Sequence, residues 1–273
     1  FGCPSREIAA IADRGADLYD THGGAGPKAE GLAGREHVEA NVTWLGHATF
    51  LFETNGKTVL VDPWLEGNPK CPEEFHDVEP DAILITHGHN DHIGNVFDVA
   101  ERTDCPIVGI FDLTTWLGTK GVDEDRLMGM NKGGTLSLDD IGVSVTMTDA
   151  SHSSAFVGDD GIPVYLGEPA GFVLDFDGGP NIYVAGDTCL FGDMKLIGEL
   201  WNPDYAILPI GDHFTMDPRQ SAHAAEFTGV EGVIPCHFGT FPALTGTPEQ
   251  LQSELAELGS DVEVMALEPG QSA

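Results

Sequence analysis

The chain has 273 residues, 41% of them hydrophobic, and carries 45 acidic against 12 basic side chains, a net charge of −33. That is apolar content enough for a buried core and length enough for one large domain or two small ones. The sign of the charge disfavours a nucleic-acid partner, because phosphate contacts need Lys and Arg; no apolar run approaches the ~20 residues of a membrane span.

The acid excess also reads as adaptation to high salt, since at about 1 M the Debye length is only about 3 Å and like charges no longer repel across the surface. The expected result is a melting temperature that rises with salt, measured by thermal unfolding between about 0.1 M and about 1 M. A melting temperature independent of salt leaves only an acidic, very soluble protein. Five cysteines (Cys3, Cys71, Cys105, Cys189, Cys236) are scattered, odd in number and without C-x-x-C spacing. They argue against a disulfide framework or a structural zinc knot, and Cys189 and Cys236 read as small buried hydrophobes.

Residues 1–40 form an N-terminal extension. Arg6 to Tyr19 has Ile8, Ala12, Ala16 and Tyr19 on one helical face, and the Gly-rich stretch from Thr21 to Pro27 reads as a linker. A cytoplasmic location is expected, with an exported form, or one lipidated at Cys3, as the alternative if a leader precedes Phe1.

The β-rich body begins near Val42. Val42–Glu53 and Lys57–Asp62 flank Asn55-Gly56, a strong hairpin signal. Asp81–Thr86 is a short buried strand, Asp91–Arg102 a helix, Pro106–Ile110 a strand and Leu113–Leu117 a helix. Thr135–Leu138 and Ile141–Thr148 form a hairpin around Asp139-Asp140, and 151–169 is a long loop. A second, similar series follows. Gly171–Phe176 pairs with Asn181–Ala185, then come a helix at Asp193–Leu200, a strand at Tyr205–Ile210, a helix at Pro218–Phe227 and a strand at Val233–Pro235. Thr247-Pro248-Glu249-Gln250 opens a helix with a capping box, and Val262–Leu267 closes the chain as a strand. Hairpins interleaved with helices in two comparable halves predict two sheets packed face to face with helices outside.

The run His87-Gly88-His89-Asn90-Asp91-His92 places four metal-capable side chains within six residues. It directly follows an apolar strand. Alternate residues of an extended segment point the same way, so His87 and His89 can grip one ion while Asp91 and His92 face a second. Imidazole and carboxylate suit zinc and its neighbours. Further ligand types stand just past other β-like runs: His152, Asp187 and His237. Strand ends along one sheet edge are where sites gather in layered folds.

His87-x-His89-x-Asp91-His92 followed by His152, Asp187 and His237 resembles the metallo-β-lactamase superfamily over about residues 42–268. Leu45-Gly46-His47-Ala48-Thr49, Gly167-Glu168-Pro169-Ala170-Gly171, Ala185-Gly186-Asp187-Thr188 and Leu208-Pro209-Ile210-Gly211-Asp212 look more narrowly like its metal-dependent hydrolase branch, similar to ascorbate-6-phosphate lactonases. The resemblance implies an α+β protein, a four-layer αββα sandwich spanning residues 41–273. It implies two divalent ions, zinc first, with manganese, iron or nickel possible from the same donors. His87, His89 and His152 would hold the first ion, Asp91, His92 and His237 the second, and Asp187 would bridge them. Asp62 would steady the His87–His92 loop from behind. A homo-oligomer is an expectation of the resemblance alone.

The reaction implied is hydrolysis of a small ester, lactone or phosphodiester by a water shared between the ions, whose pKa such a site brings near 7. No Gly-x-Ser-x-Gly elbow competes with that reading. Asp91 would also orient the water, and His47 and His213 are candidates for substrate contact or proton delivery. Trp64, Phe156 and Tyr165 could line the mouth, while His22, His37, His76 and His223 read as surface or structural. The competing readings are an iron-dependent oxidoreductase on the same fold and a non-catalytic assembly protein that kept the site.

Overall fold

The computed structural model describes residues 40–273. The extension's expected helix and linker, Cys3, His22 and His37 lie outside the described residues. Elements are β1 (Asn41–Trp44), β2 (Phe50–Thr54), β3 (Lys57–Val61), β4 (Ala82–Leu84), α1 (Asn90–Ile93), α2 (Val96–Arg102), β5 (Ile107–Ile110), α3 (Phe111–Thr119) and β6 (Leu127–Met130). They continue with β7 (Thr135–Leu138), β8 (Val143–Asp149), β9 (Ala155–Val157), β10 (Pro163–Tyr165), β11 (Ala170–Phe176), β12 (Asn181–Val184) and α4 (Met194–Trp201). β13 (Tyr205–Pro209), α5 (Pro218–Thr228), β14 (Gly232–Cys236), α6 (Pro248–Leu258) and β15 (Glu263–Val264) complete the chain.

Two sheets carry the fold, with strand orders β1-β2-β3-β4-β5-β6 and β15-β14-β13-β12-β11-β8-β7. In each, an antiparallel portion gives way to parallel strands: β3 to β6 in the first sheet and β12 to β15 in the second. This repeated plan is the physical content of the two comparable halves. The parallel strands read as continuous apolar runs because both their faces are covered. β4 and β14 are buried at every residue.

The main core lies between the sheets, where Phe52 stacks on Phe176 with ring centroids 5.9 Å apart. Alternation then splits the second sheet's residues between its two faces. Phe172 and Leu174 face this core, while Val173 joins Tyr183, Ala206 and Val233 against Met194, Ala222, Leu251 and Leu255 of α4, α5 and α6. Helix α6 starts as expected, with Thr247 and Gln250 capping each other's backbone N–H. No helix among the described residues is long and apolar enough to cross a membrane.

Four expectations need correcting, and one strand was not anticipated. Val42–Glu53 is not one strand, because Leu45–Thr49 interrupts it with Gly46 at φ +92° and His47 at φ +54°. The helix after the histidine run is two helices. Strand β6 was not legible, since Leu-Met-Gly-Met shows neither alternation nor β-branching and is only half-buried. The loop 151–169 contains the β9–β10 hairpin. The closing strand is only Glu263–Val264; the chain then runs on to pair with β1, whose Val42 exchanges backbone hydrogen bonds of 2.9 and 3.0 Å with Ala273. The Asn55-Gly56 turn is as expected, both residues lying at positive φ (+51° and +72°), as a two-residue type I′ hairpin requires.

Candidate metal centre

The parallel strands of both sheets deliver their following loops to one edge. Asp62 follows β3, His87 follows β4, Asp187 follows β12 and His237 follows β14. Close backbone approach lets the two sheets' loops meet. Gly186, at φ +62°, lies where a Cβ would come within 2.7 Å of the Ala170 carbonyl and 3.0 Å of Thr86 Cβ. Gly211 has a tighter constraint, because a Cβ there would meet the His237 carbonyl oxygen at 2.0 Å.

Asp62, Thr86, His87 and His92 form a buried network at the base of the site. Asp62 Oδ1 accepts the Thr86 N–H at 2.8 Å. Its Oδ2 accepts the Thr86 hydroxyl at 2.7 Å and His92 Nδ1–H at 2.7 Å. Because the Thr86 hydroxyl spends its proton on Asp62, it is the acceptor for His87 Nδ1–H at 3.0 Å. One carboxylate thereby orients both imidazoles, His92 directly and His87 through Thr86, and turns both Nε2 atoms away from itself; that of His87 lies 2.9 Å from His89 Nδ1. This is how metal-site histidines are oriented from behind.

Both Nε2 atoms face Asp187. Its Oδ2 lies 3.9 Å from His87 Nε2, 3.4 Å from His92 Nε2, 3.5 Å from His152 Nε2 and 3.1 Å from His237 Nε2. Two groups of potential ligand atoms, each mutually within 4.8 Å, meet here: His87, His89, His152 and Asp187 in one, and His47, Asp91, His92 and His237 in the other. His92 Nε2 and Asp187 Oδ1 are buried without a hydrogen-bond partner. Unsatisfied buried polar atoms are costly, and a cation among these donors satisfies them. The residues therefore fit a metal centre.

Electrostatics agree with that chemistry. Burial, aided by the neighbouring His92, pushes the His87 imidazole well below its ordinary range, and burial lowers His89 and His152 as well. The neutral imidazole is the ligand form. Burial works to raise the Asp187 carboxyl, but the facing His237 and His92 outweigh it and hold it well below the usual carboxylate range. Burial likewise opposes a charged His92, yet Asp187 and Asp62 raise it well above an ordinary histidine.

The β9–β10 hairpin is fastened to the ligand loop. The Asn90 carboxamide pairs twice with the Val157 backbone, at 2.9 and 3.0 Å, Ser154 Oγ accepts the Gly88 N–H at 3.1 Å, and Ser153 Oγ lies 3.3 Å from His89 Nε2. Asn90 thus sits between His89 and Asp91 as a structural clamp, a role the sequence does not signal. Asp91, His89 and His152 keep partial solvent contact, whereas His87, His92, Asp187 and His237 are buried.

Of the two further histidine candidates, His47 joins the cluster. It is fully buried, with Nε2 3.2 Å from Asp91 Oδ2 and its ring centroid 3.9 Å from that of His237. His213 is exposed and packs edge-on against Phe214; it makes none of the contacts that join the cluster. Trp64 touches the site, edge-on to His47 at 5.1 Å, and stacks on Phe241, which the sequence reading missed. Phe156 instead packs on Trp116, and Tyr165 is exposed and bonded to Glu168. Cys236 is buried as expected, but Cys189 is exposed, because it follows Asp187 into an open loop rather than ending a strand.

Residues 57–238 match the beta-lactamase superfamily domain. A metal-dependent hydrolase of Herpetosiphon aurantiacus is 50% identical over 240 residues, covering 86% of this chain and 98% of its own. Another, from Methanopyrus kandleri, is 46% identical over 231 residues, covering 85% and 98%. The solved structure of a novel metallo hydrolase from the hyperthermophilic archaeon Ignicoccus hospitalis is similar with a TM-score of 0.75 and 34% identity, over 86% of this chain and 97% of its own.

Proposed function

The chain belongs to the metallo-β-lactamase superfamily and is one of its metal-dependent hydrolases, and from that premise we propose a two-ion enzyme acting on a small ester, lactone or phosphodiester. The observation that carries the reading is the position of Asp187 Oδ2, within 3.1 to 3.9 Å of imidazoles drawn from both ligand groups. His87, His89 and His152 would hold one ion and Asp91, His92 and His237 the other, with Asp187 available to both. Zinc is the first choice for this donor set.

When bound, a pair of divalent ions polarises the electrophilic oxygen and brings a shared water's pKa near 7. The chain's own residues do the rest. Asp62 orients His92 directly and His87 through Thr86. Asp91, the ligand-type carboxylate with solvent contact, orients the attacking water. The β9–β10 hairpin shapes one wall of the pocket through its clamp on Asn90, and Trp64 with Phe241 forms an apolar wall beside Asp91 and His47. Residues 41–273 act as one hydrolase domain preceded by an extension. A cytoplasmic, salt-adapted homo-oligomer is the setting we assign it.

His213 contacts substrate. Both Asp212 and His213 adopt left-handed backbone (φ +67° and +59°) immediately after Gly211, which packs on His237. For non-glycine residues that costs roughly 1–2 kcal/mol each, and such strain collects at functional sites. His213→Ala is expected to lower kcat/KM about tenfold, the scale of one lost hydrogen bond to substrate, with metal content unchanged. Unchanged kcat/KM on the best substrate removes His213 from the site.

The test of the function is a hydrolysis screen across lactones, carboxylic esters and phosphodiesters. Turnover of one class, lost on chelation and restored by zinc or manganese, supports the reading. No turnover by fully metal-loaded protein across all three contradicts it.

A further inference from the structure

The pair of ligand groups is not symmetrical, because a buried histidine stands behind only one of them. His47 touches all three side chains assigned to the second ion, standing edge-on to the His92 ring at 5.7 Å. Its Nε2 meets Asp91 Oδ2 at 3.2 Å, its ring packs on His237 at 3.9 Å, and its backbone carbonyl accepts the His237 N–H at 2.9 Å. Among the described residues no hydrogen bond or ring contact joins it to His87, His89 or His152. Its other ring nitrogen, Nδ1, meets Thr240 Oγ1 at 3.1 Å.

Proton arithmetic fixes the direction of these bonds. An ionised Asp91 only accepts, so His47 Nε2 carries the hydrogen and donates it. In the neutral ring that leaves Nδ1 to accept the Thr240 hydroxyl hydrogen at 3.1 Å, the shorter of that hydroxyl's two contacts, the Phe238 carbonyl lying at 3.4 Å. Neither nitrogen then offers a free lone pair to a metal, although His47 falls within ligand distance of the second group. Nor can the ring reach substrate, being fully buried with Trp64 and Phe241 edge-on at 5.1 and 5.6 Å. The residue holds left-handed backbone at φ +54°. Its carbonyl, tied to both His237 N–H and Trp44 Nε1–H, holds it there.

We propose that Thr240, His47 and Asp91 form a relay that builds the second ion's position selectively, with His47 as a positioning residue that is neither a metal ligand nor a substrate contact. The relay rests on the two-ion reading above. It makes the second position dependent on a hydroxyl two steps away, in the short Gly239-Thr240-Phe241 loop.

The test is calorimetric zinc titration of the metal-free full chain, with elemental analysis after buffer exchange, on wild type, His47→Asn and Thr240→Val. Asn tolerates left-handed backbone and keeps the carbonyl while removing the ring. Valine removes only the hydroxyl, so it serves if His47→Asn does not fold. The expected result is a second zinc equivalent weakened about 10- to 100-fold, the scale for losing a partner behind a ligand, with the first equivalent unchanged. Equal weakening of both equivalents marks a merely structural role and overturns the relay. So does wild-type affinity in both variants while wild type holds two zinc ions. A wild type holding one zinc overturns the two-ion reading and the relay together.

Discussion

Asp187→Ala is expected to reduce hydrolysis to background and to leave the protein unable to retain metal through buffer exchange. Asp187 is the carboxylate on which four imidazoles from both ligand groups converge, and it is 3% exposed. Removing it takes away the anion that both ions would share. It also leaves a positive-leaning nest of buried imidazoles without a counter-charge, a change that costs about 3–5 kcal/mol when a buried pair loses one member. The variant should therefore melt below the metal-free wild type, and added zinc should not restore the difference, because stabilisation by a ligand needs a native-state site to bind. Asp187→Asn keeps the shape and loses the charge. It should recover part of the stability and none of the activity. Activity and retained metal in Asp187→Ala at wild-type levels would exclude Asp187 from the centre.

Asp62→Ala is the second large effect, and it differs in kind. Asp62 lies behind the ligands. It binds the Thr86 N–H, the Thr86 hydroxyl and His92 Nδ1–H within 2.7 to 2.8 Å. Losing all three at a residue 1% exposed leaves buried donors unpaired, at about 1–3 kcal/mol each. His92, and His87 through Thr86, also lose the partner that orients them. Zinc affinity should fall about 10- to 100-fold, and a large excess of zinc should restore part of the activity, unlike Asp187→Ala. Urea unfolding of the metal-free variant and zinc titration read the two effects separately. If affinity holds while stability falls, Asp62 is only a packing residue.

Much of the architecture was legible because burial leaves a simple pattern in parallel strands. The apolar runs ending at Thr86, Gly186 and Cys236 each precede a polar residue whose type makes no sense in a core, and those residues meet in space. The ligand loop was legible because period-two geometry makes His87 and His89 neighbours. What the sequence hid depends on backbone conformation. The Leu45–Thr49 turn, the strained Asp212-His213 pair and the β9–β10 hairpin arise from left-handed residues and cross-chain bonds that carry no periodicity. Asn90 reads as a spacer between ligands until its carboxamide is seen paired with Val157. Thr240 and Phe241 sit in a loop with no pattern at all, and only tertiary contact brings them beside His47. Asp62, placed before Pro63, has the residue type of a turn-former as well as that of a support for the ligand loop. It is both, since its left-handed backbone at φ +49° turns the chain while its carboxylate reaches Thr86 and His92.

An anomalous-difference map from crystals of the zinc-loaded protein bears most directly on the idea that two cations share this strand edge. Two peaks about 3.5–4 Å apart are expected, one among His87, His89 and His152, the other among Asp91, His92 and His237, each against Asp187. A single peak, or a pair lying away from Asp187, would contradict it.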